Sequence, residues 1–417
     1  MKLSISNFSK IQKADITLDS ITVITGLNNT GKTTIGKLLY AYTKTFNSIE
    51  NQTENLRNDR ISSIIDNYYD VSFGEDVFRP FFGKEERLKD KFISIEGIDK
   101  SDKVVVKKEL ANLVSEIPEE YQHRYHALIT NIDTISEKIS EVYTISSNEL
   151  ERVILQQNLK SEFEGQLNNL YKKSQEDCII KISSNDKEIL TTEIKENEVS
   201  SLKREASITS TSLFVASPFI IDNNYRLYRL SHHKDDLHSA IYRKENVIDK
   251  ILCGRKLNKI LEKMSAIVKG TIDSDYTGDE GYTELDMKEP LRISNLSAGL
   301  KTFFVLKKLI ENGSLNDNSI LILDEPEIHL HPEWQFAYAE LIVLLNLEVG
   351  LKVLLTTHSP YFLNAIEVYS KKHNVNNVNY YLSQVEDNFV EFERANNNLD
   401  HVYDLLTYPF KKLKDID

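Results

Sequence analysis

Two cysteines, one tryptophan and no long apolar run are what this 417-residue chain has least of. Cys178 and Cys253 cannot form a disulfide framework for so long a chain, and neither has metal-ligand company, so a reducing interior is expected. No apolar stretch approaches the roughly 18 residues of a membrane span. The first residues read as an amphipathic strand and not as a signal peptide, so no membrane is expected and the protein is read as cytoplasmic. Positive charge is also short: 51 Lys and Arg stand against 64 Asp and Glu, a net −13. That balance argues against a surface that grips nucleic acid everywhere. There is no internal repeat and no low-complexity linker. With 40% apolar residues the chain can bury a sizeable core, as one large α/β domain with an insertion or as two domains.

What is present starts with an octet, Gly26-Leu27-Asn28-Asn29-Thr30-Gly31-Lys32-Thr33, set between the β-branched run Ile21-Thr22-Val23-Ile24-Thr25 and a helical stretch. Two glycines let a chain fold around a polyphosphate without Cβ clashes, and the following helix turns its positive end to the anion. Lys32 is then expected to reach the β and γ phosphates and the Thr33 hydroxyl to take one position on Mg²⁺. Gly26, Asn28, Asn29, Thr30, Gly31, Lys32, Thr33 and Thr34 form the expected ATP-binding set.

Three later segments add order. Leu296-Ser297-Ala298-Gly299-Leu300-Lys301 opens a helix with apolar residues at Leu300, Phe303, Phe304, Leu306, Leu309 and Ile310, which puts Ser297 and Gly299 at an amino-terminal helix end. Ser319-Ile320-Leu321-Ile322-Leu323-Asp324-Glu325-Pro326 is a buried-strand pattern ending in two carboxylates. Asp324 is placed to hold Mg²⁺ through its water shell and Glu325 to orient and deprotonate the attacking water. A last strand, Val353-Leu354-Leu355-Thr356-Thr357, delivers His358, whose imidazole can hydrogen-bond the γ-phosphate or that water.

These four elements in this order resemble the ABC-type ATPase heads of the SMC-like and OLD-like branch. The resemblance covers about the first 45 residues and residues 290–365. It makes residues 26–33 the Walker A motif, Ser297 and Gly299 the signature, Asp324 and Glu325 Walker B, and His358 the switch histidine, with Lys32, Glu325 and His358 as the catalytic set. The run Asp324-Glu325-Pro326-Glu327-Ile328-His329-Leu330-His331-Pro332 looks like the D-E-P-E-x-x-L-H-P run of these ATPases, and Ile5-Ser6-Asn7-Phe8 looks like their first strand. By resemblance, the signature Ser and Gly meet the γ-phosphate held by the opposite subunit, so that two chains sandwich two ATP molecules. Asn29 stands where many SMC-like heads have a glycine, and Asn tolerates left-handed backbone. No Q-loop glutamine can be placed; Gln52 is close to the Walker A helix, but nothing around it resembles a strand end.

More than 260 residues separate Lys32 from Ser297, so the expected architecture is an α/β, ABC-type P-loop NTPase head with an inserted short helical hairpin arm. The expected division is an N-terminal part of the head over 1–100, the insertion over 101–175 and the rest of the head over 176–417. Tyr121, Tyr125, Leu128, Ile132, Ile135, Ile139 and Val142 follow a 4-3-4-3-4-3 spacing, a coiled-coil seam. Ser146 and Glu149 are spaced as a capping box for a second helix, whose stripe is Leu159, Phe163, Leu167 and Leu170. About 25 residues would give an arm of roughly 35 to 40 Å; the alternative is a lid packed on the head. Residues 178–183 and 188–194 read as a hairpin around Ser184-Asn185-Asp186, and 208–215 as a further strand.

Other groupings carry less. Residues 226–263 hold ten Lys or Arg against five acids and read as a solvated helix face, the alternative being an acidic partner, a nucleic-acid backbone or a protein. His232, His233, Asp235, Asp236 and His238 read as solvated and not as a metal cluster. His329 and His331 suit a turn toward a facing subunit. Asp415-Ile416-Asp417 mimics the D-x-D of Toprim nucleases without a fold around it. The motif set also resembles ATPase subunits of anti-phage systems such as Septu, PARIS and certain retron operons, which implies a homodimer or higher oligomer and an effector, a nuclease or toxin, on another chain. The competing expectation is a RecF-like clamp that binds duplex DNA when ATP closes the dimer.

Overall fold

The computed structural model describes residues 1–68, 88–117, 125–169, 177–222, 231–243, 247–274, 280–386 and 389–414. Side chains alternate between inward and outward along β1 (Lys2–Phe8) and β2 (Ile11–Thr17), which pair antiparallel. β3 (Ile21–Gly26) differs in being buried at every residue, as a strand covered on both faces must be. It runs through the octet into α1 (Lys32–Phe46).

Ser48–Ile154 form a compact unit of their own. It contains α2 (Ile49–Asp66), α3 (Leu88–Ser94), α4 (Lys103–Ser115), α5 (His126–Thr130), α6 (Ile132–Thr144) and the first residues of α7 (Ser147–Phe163). In place of a two-helix hairpin over 101–175, the unit has, among the described residues, a core drawn from five helices. Seam residues Tyr125, Leu128, Ile135, Ile139 and Val142 are buried against Ile61, Ile64, Phe92, Val106 and Leu110. The seam is also broken at Asn131, which leaves helical geometry (φ −107°, ψ 16°) and separates α5 from α6. Heptad spacing reports only that one face is apolar, and here that face is covered by helices that precede it in the chain. Tyr121 and Leu170 lie outside the described residues. The capping box forms as expected: Ser146 N–H donates to Glu149 Oε2 (3.0 Å) and Glu149 N–H to Ser146 Oγ (3.2 Å).

Met1–Asn47 and Leu155–Asp417 make up the larger unit. β4 (Cys178–Ser184) and β5 (Lys187–Lys195) form the expected hairpin, with Asn185 and Asp186 both at positive φ, and β6 (Glu198–Arg204) extends it. β7 (Thr211–Val215) starts three residues later than its sequence pattern suggests. α8 (His232–Ile241) and α9 (Val247–Ile267) lead to a small sheet of β8 (Thr271–Ser274), β9 (Glu280–Thr283) and β10 (Leu291–Arg292). Then come α10 (Ala298–Glu311), β11 (Ser319–Asp324), α11 (Pro332–Val349), β12 (Lys352–Thr357), α12 (Pro360–Lys372), β13 (Asn379–Glu386), β14 (Phe389–Arg394) and α13 (Leu399–Lys414).

One sheet of eleven strands joins them in the order β6-β5-β4-β1-β2-β14-β13-β3-β12-β11-β7. The five strands from β13 to β7 are parallel. Leu321, Leu323, Val353 and Leu355 face a core built with Phe303, Phe304, Tyr338, Ile342, Phe362 and Ile366 from α10, α11 and α12. Ile322, on the opposite face, meets α1: a Cβ added to Gly36 would lie 3.0 Å from Ile322 Cγ2, so the glycine sets how closely α1 approaches the sheet. Parallel strands deliver their carboxyl ends to one edge, and β3, β11 and β12 therefore bring residues 26, 324 and 357 together there. Among the described residues no helix is long and apolar enough to cross a membrane.

Candidate nucleotide site

The octet leaves β3 at Gly26 (φ 147°), and Asn29 and Gly31 continue at φ 65° and 75°. A Cβ on Gly26 would lie 2.2 Å from Ser383 Oγ and 2.5 Å from the Ser383 carbonyl oxygen, so only glycine fits against β13. Thr30 is buried and its hydroxyl lies 2.5 Å from Ser383 Oγ, while Asn29 Oδ1 accepts from Lys10 Nζ at 2.6 Å. Asn28 is exposed and Thr34 is half-buried in the first turn of α1. Lys32 is buried, donating to the carbonyls of Gly26 (3.2 Å) and Leu27 (2.9 Å).

Register carries Walker B to the same place, because Asp324 pairs with Thr356 and Thr357 with Thr25. The Thr33 hydroxyl donates to both Asp324 oxygens, at 3.0 and 2.8 Å, and the Thr356 hydroxyl donates to Asp324 Oδ1 at 2.7 Å. Burial pushes the Asp324 carboxyl up from the usual carboxylate range, against the lowering effect of those two hydroxyls. A hydroxyl and a carboxylate facing each other in a buried setting are the hard oxygen donors that suit Mg²⁺, so Thr33 and Asp324 fit the metal expected of them. Glu325 sits at φ 47°, a strained geometry for a non-glycine, with its N–H held by Thr356 O (3.2 Å) and Oγ1 (3.0 Å). Its Oε1 is 3.5 Å from Lys32 Nζ and 3.4 Å from His358 Nδ1.

The structure thus brings Lys32, Thr33, Asp324, Glu325 and His358 together, with Thr33 hydrogen-bonded to Asp324 and Glu325 Oε1 within 3.5 Å of both Lys32 Nζ and His358 Nδ1. Ser297 stands apart, exposed at the start of α10, where its side chain accepts from Leu300 N–H at 3.3 Å. Gly299 lies under the Walker B extension: an added Cβ would come within 3.1 Å of the His329 carbonyl and of Trp334. Gln52 falls in α2, inside the helical unit. The strand beside Walker B is β7, whose Val215 pairs with Leu323; Ala216-Ser217-Pro218 follow it and, with Asp324, Glu325 and His329, line a cavity of about 120 Å³. The residue two positions past this strand is Ser217, and no described residue is assigned to a Q-loop.

Sequence reasoning missed Thr356, which holds both Walker B carboxylate residues, and Glu327. The latter is 2% exposed, and burial pushes its carboxyl up from its ordinary value. The cluster read as solvated is also different. His233 is buried with Nδ1 2.5 Å from Glu162 Oε2, and Asp236 accepts from Tyr40 OH and Lys44 Nζ, each at 2.7 Å. Among the described residues no group of His, Cys, Asp and Glu suits a metal ion. Asp415-Ile416-Asp417 lies outside the described residues.

The family model described as AAA ATPase domain matches residues 1–363. Among solved structures, the chain is similar to the SMC head domain from Thermotoga maritima, at 10% identity and TM-score 0.38, over 94% of this chain and 97% of that one. It is also similar to an Smc head bound to the C-winged helix domain of ScpA, at 12% identity and TM-score 0.44, over 96% and 98%. A third is a Pyrococcus furiosus Smc head with an extended coiled coil, bound to the C-terminal domain of ScpA, at 12% identity and TM-score 0.36, over 100% and 98%.

Proposed function

Because the chain belongs to the AAA ATPase domain family and hydrolyses ATP, we propose that it works as an SMC-like and OLD-like head that closes ATP between two copies of itself. The nucleotide state of that dimer regulates or scaffolds an effector, a nuclease or toxin on another chain, in anti-phage defence. The observation that carries the catalytic part is this cluster, in which the Thr33 hydroxyl donates to Asp324 while Glu325 Oε1 stands within 3.5 Å of both Lys32 Nζ and His358 Nδ1. The exposed Ser297 at a helix start supports the dimer, since a signature turn facing outward is available to a second copy. The effector and its setting rest on the motif resemblance to Septu, PARIS and retron ATPase subunits.

In this reading water attacks the γ-phosphorus in line, Glu325 takes its proton, and the bond to the bridging oxygen breaks to release ADP. Lys32, and Ser297 of the partner subunit at its helix start, stabilise the charge that develops on the phosphoryl oxygens. Thr33 and Asp324 would hold Mg²⁺, which when bound would supply further charge neutralisation. In the same reading His358 hydrogen-bonds the water or the γ-phosphate. Glu325→Gln is expected to keep ATP binding, lose turnover and accumulate an ATP-bound dimer by size-exclusion chromatography, whereas Lys32→Ala is expected to lose binding or turnover. Hydrolysis at the parental rate by Glu325→Gln would overturn the catalytic assignment. Failure of the parent to co-elute with, or alter the activity of, the product of a neighbouring gene when ATP is added would count against the effector.

A further inference from the structure

Glu327 is a buried acid that the mechanism above does not use. Its Oε1 accepts from the Thr357 hydroxyl at 2.5 Å and from the His358 backbone N–H at 3.2 Å, while its Oε2 has no hydrogen-bond partner. The same oxygen Oε1 is 4.0 Å from His358 Nδ1, and Glu325 Oε1 approaches that nitrogen from the other carboxylate at 3.4 Å. The turn is fastened further along. Ser359 N–H donates to Thr357 Oγ1 (3.0 Å) and the Ser359 hydroxyl to Gln335 Oε1 (2.8 Å), with Gln335 Nε2 donating to the Leu330 carbonyl at 3.0 Å. Residues of the Walker B extension and of α11 therefore fix the backbone from which His358 projects.

We propose that Glu327 is the positioning residue of His358: one buried carboxyl oxygen, holding Thr357 and the His358 amide together, sets where the imidazole stands relative to Glu325. Proximity to the reacting phosphate is not required of it. A merely structural acid would serve equally well if it braced the strand without touching the 357–358 turn, but here both described hydrogen bonds of the Glu327 side chain end on that turn. Because only Oε1 is engaged, a glutamine can place its amide oxygen in the same position and accept both hydrogen bonds.

The inference rests on His358 taking part in turnover, and the experiment separates the two. ATP hydrolysis is measured for Glu327→Ala, Glu327→Gln, His358→Ala and the double variant Glu327→Ala/His358→Ala, with ATP affinity measured alongside. Displacing a catalytic group by about an ångström costs on the order of 10²-fold in rate. Glu327→Ala is accordingly expected to lose kcat on that scale with ATP affinity kept within about 3-fold, because Lys32 and Thr33 are untouched. Glu327→Gln is expected to recover most of the rate. In the His358→Ala background Glu327→Ala is expected to change kcat by less than about 2-fold, the non-additivity of two residues acting through one group. Multiplying losses in the double variant, a normal kcat for Glu327→Ala, or a failure of glutamine to rescue would overturn the proposal and leave the site reading intact. A parental rate for His358→Ala would remove the premise, and the proposal with it.

Discussion

At the scale of single residues, the site is built from close approaches that tolerate little change. A side chain at position 26 meets both the hydroxyl and the backbone carbonyl of Ser383, at a φ that L-residues rarely adopt. Gly26→Ala is therefore expected to lose ATP binding, and Ser383→Gly added to it is expected not to restore binding, since the carbonyl clash persists; a nucleotide titration reads both. Glu327 gives a pH test of the folded state. Its carboxyl is raised from 4.5 by burial, so the folded protein holds that proton more tightly than the unfolded chain. The resulting stability is fully present below pH 4.5 and is lost as pH climbs toward the folded value, by at most about 1.4 kcal/mol per pH unit for one proton. Melting temperatures of Glu327→Gln and parent, both nucleotide-free, are expected to diverge in favour of the glutamine as pH rises through that window; parallel curves would contradict it. Lys32, Thr33, Asp324 and Glu325 were legible because each ends its strand or follows it within seven residues, in a pattern with one chemical use. Ser383 and Thr356 were not, because their partners are 353 and 32 residues away and only strand order brings them together.

Elements show the same division between local and long-range information. The largely apolar and β-branched strands β3, β11 and β12 and the capping box of α7 could be read from neighbouring residues, and they fold as read. The helical unit could not, because apolar spacing over 121–142 states that a face is buried without naming what buries it. The polar segment at 232–238 was misread for the matching reason: its partners are on α1 and α7. His233 N–H donates to Glu162 Oε1 at 3.1 Å, His232 Nδ1 lies 2.8 Å from Asn158 Oδ1, and Lys37 Nζ donates to the Glu162 carbonyl at 3.2 Å. These bonds tie α8 and the end of α7 to the Walker A helix. Removing one member of such a buried hydrogen-bonded pair leaves a polar atom of the other unsatisfied, at roughly 1–3 kcal/mol, whereas replacing both by apolar residues of similar volume is far milder. His233→Leu should consequently lower the urea midpoint sharply, and His233→Leu/Glu162→Leu should recover part of the loss. A double variant weaker than the single would show that the pair itself stabilises the fold.

The whole molecule adds charge. Two copies that each carry −13 repel before their sites can meet, and screening shortens that repulsion from about 10 Å at 0.1 M salt to about 3 Å at 1 M. The ATP-bound dimer of Glu325→Gln is therefore expected to tighten as salt rises from about 0.05 to 0.3 M, the opposite of a nucleic-acid complex, whose affinity falls with the release of counterions. Sedimentation velocity across that range, with ATP and with or without duplex DNA, reads both behaviours in one series. A dimer that tightens with salt while DNA stays unbound fits a head whose mate is a second copy and whose output is a protein. ATP-dependent DNA binding that collapses over the same range would instead favour the clamp, despite the acidic surface. Monomer alone at every salt, with ATP bound, would leave Ser297 with no phosphate to meet and would end the sandwich.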